Sequence, residues 1–137
     1  MDRAAYDRYL AAFNARDYDT VLDHFADEFE VVFADVVLRT KSQIRDFYAF
    51  LHDFLDEQIS ITRYVSDART IAMEADVRLE GLKTLTPAML EARGFGSIVP
   101  LDAGQVITIP QFIHYHLDER GKFVRALCAV FVPPAVA

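Results

Sequence analysis

His114 and His116 stand two residues apart in a run that alternates polar and apolar residues, a spacing that puts both on one face of a strand. Such a pair suits two metal ligands or a pH-sensitive patch. A closed metal site needs third and fourth ligands, and no partner motif accompanies the pair; only Glu74 or Asp76 across a sheet are candidates. The expectation is two interfacial histidines and no metal. Gln111, Ile113 and Tyr115 take the opposite parity with Ile109 and should face an interior, where Gln111 and Tyr115 either orient a ligand or satisfy each other. Tyr9 and Tyr48 lie on apolar helical stripes, where a phenol is either a satisfied core group or a donor to a ligand. Asp76 and Arg78 alternate with Val77 and Leu79 and read as charges on an outer sheet face. Cys128, with no basic neighbour, reads as a small buried hydrophobe. His24 and His52 fall at helical positions read as mostly solvated.

The first half of the chain carries helical periodicity. Ala5, Tyr6, Tyr9, Leu10 and Phe13 make a stripe over 2–15, and Asn14-Ala15-Arg16-Asp17 breaks it. Asp17 is placed to cap a second helix to about Ala26. Residues 28–38 read as a strand bent near Ala34-Asp35. Thr40 and Gln43 have capping-box form and open a long helix to about Asp56, with Ile44, Phe47, Tyr48, Leu51, Phe54 and Leu55 on its inner stripe. Strands follow at 58–66, 69–81, 104–117 and 122–132, the last two joined by a turn at Asp118–Gly121. The 69–81 run alternates cleanly: Ile71, Met73, Ala75, Val77 and Leu79 on one face, charges on the other. Residues 82–103 interrupt the strands with a short helix signal from Thr86 to Gly94 and a glycine-containing loop, the form of a lid.

The chain has 137 residues, 53% of them hydrophobic, which fits one domain over 1–137. Its 21 acidic and 14 basic residues leave a net charge of −7, with no basic cluster, which argues against nucleic acid as a partner. No apolar stretch is long enough to span a membrane and no signal peptide is visible. The single cysteine excludes an internal disulfide and fits a reducing, cytoplasmic compartment.

Three helices followed by a curved, mostly antiparallel sheet form an α+β, cystatin-like cone. The segments RYLAAFNARDYDTVLDHFADEFEV (8–31), QIRDFYAF (43–50) and GKFVRALCAVF (121–131) give the chain a resemblance to the nuclear transport factor two-like superfamily, on its SnoaL-like polyketide cyclase and ketosteroid isomerase side. The resemblance implies that Tyr9 holds the place of an oxyanion-stabilising tyrosine and Tyr48 that of a second tyrosine bonded to it. It also implies that Phe33 replaces the isomerase base and Ile113 its protonated aspartic acid, so both carboxylates are missing. Asp35, two residues past Phe33, would point to the same side on an unbroken strand and becomes the substitute base. The Arg and Asp pair used by epoxide hydrolases of this fold is not matched: Asp76 and Arg78 stand in reversed order, and Phe131 occupies the place of the second Asp.

These readings converge on a cone-shaped cavity that binds an apolar or aromatic small molecule. Phe13, Phe33, Phe47, Leu51, Phe54 and Ile113 and the 82–103 segment would wall it, and Tyr9, Tyr48, Gln111 and Tyr115 would supply polar groups. The chemistry would be isomerase, cyclase or dehydratase chemistry without metal or cofactor, with Tyr9, Tyr48 and Asp35 catalytic. The competing expectation is a non-catalytic binding or dimerisation module whose eleven phenylalanines fill the cone. Either way, a homodimer is expected through the outer sheet face, around Leu127, Ala129 and Phe131.

Overall fold

Asp2 caps the first helix, accepting a hydrogen bond from the Ala5 amide at 2.8 Å, and α1 runs Arg3–Asn14 with Tyr6, Tyr9, Leu10 and Phe13 buried. The computed structural model describes residues 1–130. Asp17 caps α2 (Tyr18–Asp23), which stops three residues before the expected Ala26 because Phe25 already begins β1 (Phe25–Phe33). Ala34, at φ 49°, then turns the chain back sharply into β2 (Val36–Leu38), antiparallel to β1 with Phe33 opposite Val36. The expected bend is therefore a reversal. Thr40 caps α3 (Lys41–Phe54) through the Gln43 amide at 3.0 Å, as its capping-box form predicts. The helix ends two residues earlier than its periodicity suggests, since Leu55 is already extended and opens β3 (Leu55–Ser66).

β4 (Thr70–Gly81), β5 (Val106–Leu117) and β6 (Phe123–Val130) complete a six-stranded sheet in the order β2-β1-β6-β5-β4-β3. All neighbours are antiparallel except β1 and β6. The alternation read in 69–81 holds: Ile71, Met73, Ala75, Val77 and Leu79 are buried on the inner face. The helices α1 and α3 lie over that face, and each fully buried aromatic or aliphatic side chain there contributes about 1.5–3 kcal/mol by leaving water. The α+β cone is as expected, with a fourth helix, α4 (Pro87–Ala92), capped by Thr86, added to the three of the N-terminal half.

The segment 82–103 is tied down at its base. Gly81 exchanges backbone hydrogen bonds with Gln105 (2.9 Å) and Gly104 (2.8 Å), and a Cβ on it would lie 2.1 Å from the Asp102 carbonyl oxygen. Leu85 and Leu101 bridge each other, and Leu85, Leu90 and Leu101 are buried. Among the described residues no helix is long and apolar enough to cross a membrane.

Candidate functional site

The inner face of the sheet and the helices enclose a cavity of about 410 Å³, inside the roughly 300–1,000 Å³ range of small-molecule pockets. Phe13 from α1 and Phe47 and Leu51 from α3 wall one side of it. Phe33, Ile113 and the strand residues Val77, Leu79 and Ile109 wall the other. The aromatic side chains line the cone and leave space between them. Ser97, Ile98 and Val99, from the loop after α4, line it as well.

Four tyrosines reach the cavity: Tyr6 and Tyr9 from α1, Tyr48 from α3 and Tyr115 from β5. Burial pushes all four phenols well above their ordinary value, so each keeps its proton and remains a hydrogen-bond donor at neutral pH. The bonded pair is Tyr6 and Tyr115, hydroxyl to hydroxyl at 2.7 Å, joining α1 to β5. No hydrogen bond joins Tyr9 to Tyr48 among the described residues; Tyr9 instead packs edge-on against Phe123 (4.9 Å) and beside Tyr6 (5.3 Å). Gln111 shares the lining with Tyr115, as their common parity predicts.

The carboxylate in the lining is Glu57. It sits on β3 two residues after buried Leu55 and two before Ile59, so strand alternation aims it inward with both. The break between α1 and α2 fixes this register. Arg16, in a left-handed backbone conformation (φ 63°), donates to the Glu57 carbonyl oxygen at 2.9 Å and pairs with Asp56 at 2.7 Å. Asn14 exchanges hydrogen bonds with the Ile59 backbone in both directions, at 3.1 and 3.2 Å. Behind Glu57, one of its oxygens lies 2.8 Å from His52 Nε2, with the two side chains only 13% and 4% exposed. His52 Nδ1 lies 2.7 Å from the Tyr18 hydroxyl, and the imidazole is stacked between the rings of Tyr18 and Tyr48. A carboxylate, an imidazole and a phenol thus run in sequence from the cavity wall through the helical layer. The negative charge of Glu57 adds to burial in raising Tyr48, Tyr9 and Cys128, the last pushed up to about 12.

Several expectations need correction. Asp35 does not line the cavity: the reversal at Ala34 throws it outward, where it is exposed and accepts a hydrogen bond from Ser97. Phe54 is not a wall residue either; as the last residue of α3 it packs on Phe50, with the Lys83 ammonium over its ring. His52 is buried rather than solvated because Tyr18 folds over it, and His24 is half-buried between Tyr9 and Phe123. Cys128 is half-buried and faces the cavity. Tyr6 and Glu57 were missed, although extending the parity of Ile59 and Ile61 back two steps reaches Glu57.

On the outer face His114 and His116 pack edge to face, 4.9 Å between ring centres. Glu74 is engaged by Arg63, and no group of three potential metal ligands exists among the described residues. Arg78 pairs with Glu80, away from the cavity. Leu127 is half-buried and Ala129 exposed on that side, near the cavity rim, while Phe131 lies outside the described residues.

The sequence matches the family described as SnoaL-like domain over residues 6–126. Among solved structures, a putative polyketide cyclase from a Silicibacter species is similar with a TM-score of 0.71 and 21% identity, over 93% of this chain and 86% of that one. A putative polyketide cyclase from Xanthomonas campestris gives 0.71 and 18%, over 88% and 83% of the two chains. An epoxide hydrolase from M. tuberculosis, described as LEH-like, gives 0.68 and 12%, over 93% and 80%. At these identities the likeness is one of fold. Comparison with functionally curated proteins finds no match.

Proposed function

The chain belongs to the SnoaL-like domain family, and from that premise we propose that it binds a small apolar or aromatic molecule in its cone and moves a proton on it. The observation that carries this reading is Glu57: a carboxylate in an otherwise apolar and phenolic lining, held from behind by buried His52. A base in that position can take a proton next to a carbonyl, while protonated Tyr9 and Tyr48 donate to the oxygen on which charge develops. This is the chemistry of an isomerase, cyclase or dehydratase step, with Glu57 in the role first given to Asp35. That two of the similar structures are putative polyketide cyclases supports a cyclase-type step among these.

In the same reading the chain is one domain, 82–103 closes over the rim through Ser97, Ile98 and Val99, and two copies pair through the outer sheet face in the cytoplasm. The rim arrangement is supported by the Ser97–Asp35 hydrogen bond, which links the loop to the β1–β2 reversal.

The test uses tetralone, a bicyclic ketone with exchangeable protons beside its carbonyl, in deuterated water, with exchange followed by NMR. The wild type should accelerate exchange, Glu57→Gln should lose about a hundredfold of that acceleration, and Asp35→Asn should keep it. Equal acceleration in wild type and Glu57→Gln would remove the base. Saturable binding of the ketone with no acceleration would leave a non-catalytic binding module, the second reading that the hollow cone supports.

A further inference from the structure

We propose that Glu57 also sets the charge class of the ligand: the cavity takes uncharged or ammonium-bearing aromatic bodies and turns away carboxylates, sulfates and phosphates. This rests on the binding reading and not on proton transfer. Among the described residues Glu57 is the charged side chain in the lining, and no lysine, arginine or histidine joins it there. Its second carboxylate oxygen has no hydrogen-bond partner among the described residues. The nearby cations are committed elsewhere. Arg16 is spent on Asp56 and on the Phe13 and Glu57 carbonyls, Lys83 pairs with Asp53, and His52 lies behind Glu57 with its ring covered. An anion entering the cone would therefore lose its water without meeting a counter-charge, beside a like charge.

Two further features act in the same direction. Phe13, Phe33, Phe47 and Tyr48 line the cavity, and an aromatic lining offers a cation the negative faces of its rings but gives an anion no comparable partner. Outside the lining, the Asp35 carboxylate is hydrogen-bonded to Ser97 of the lining loop, so a second acidic group stands next to the cavity wall, on a chain of net charge −7. The phenols keep their protons and serve a neutral carbonyl or hydroxyl oxygen, so an uncharged ligand finds donors while an anion finds no cation.

The experiment is calorimetric titration, at about pH 8 to stay above the ordinary imidazole range, with three probes of one shape: naphthylmethylamine, naphthalenemethanol and naphthoate. In the wild type the amine should bind tightest and naphthoate at least about tenfold weaker than the alcohol. In Glu57→Gln, checked for folding by circular dichroism, the amine should lose its advantage and naphthoate should approach the alcohol. Naphthoate binding the wild type as well as the alcohol would overturn the inference, as would an affinity order unchanged in Glu57→Gln. The wild-type order alone decides the matter if that variant does not fold. Binding of the alcohol without any charge order would defeat this inference and spare the binding reading; binding of none of the three would defeat both.

Discussion

Two stretches of the inner face satisfy buried polar groups in opposite ways. Where β5 passes β4 at Tyr115 and Ile71, the polar groups are phenols: Tyr6 and Tyr115 bond to each other, neutral to neutral. Where β3 passes β4 at Glu57 and Leu79, the polar group is a carboxylate backed by an imidazole and, behind that, a second phenol. The first arrangement closes on itself and serves packing as much as binding. The second keeps one face of a charged group turned to an apolar space and its other face fixed, which is what a reactive or selective group needs.

The contrast can be broken with alkali first. The four buried phenols and Cys128 hold their protons more tightly in the folded chain than their unfolded values, 10.0 for tyrosine and 9.0 for the thiol. The unfolded chain therefore releases protons that the native one retains, so their stabilisation is complete below pH 9 and drains away as pH rises toward about 12. Of the six tyrosines, the half-exposed Tyr18 and Tyr64 can ionise in the folded chain, whereas phenolate absorbance from the other four should appear together with loss of native circular dichroism. Ionisation of more than two tyrosines in a chain that stays folded would contradict the buried assignment.

At the phenol end, Tyr6→Ala removes a fully buried ring and strands the Tyr115 hydroxyl, and should cost about 3–5 kcal/mol in urea unfolding. At the carboxylate end, His52→Leu leaves Glu57 without its partner and should cost about 1–3 kcal/mol, with most of the loss recovered when Glu57→Gln is added. A double variant no more stable than His52→Leu would mean that the two side chains are not coupled. Tyr6→Phe is the smallest change, about 1 kcal/mol, since the ring stays and only the hydroxyl bond is lost.

Most of the fold was legible because its signals are local. The caps at Asp17, Thr40 and Thr86 and the alternation in β4 depend on neighbours within a few residues. The phenol end was legible in part: Tyr115 follows strand parity, while helical periodicity places Tyr6 on the α1 stripe without marking it as the partner of Tyr115. The carboxylate end was not. An amphipathic stripe running through Leu55 makes α3 look two residues longer than it is, and the residues after Phe54 then seem helical and solvated instead of extended and inward. Asp35 failed in the mirror-image way, because parity counted across Ala34 has no meaning once the chain reverses there. His52 depended on Tyr18 folding across from α2, a contact between residues 34 positions apart.

The most direct test of the site follows the side-chain carboxyl signals of the glutamates and the ring signals of the tyrosines and histidines by NMR while tetralone is added. Saturable shifts at Glu57, Tyr9 and Tyr48, with His114 and His116 unmoved, are the predicted result. Shifts confined to His114 and His116 would put the ligand on the outer face of the sheet and contradict the account.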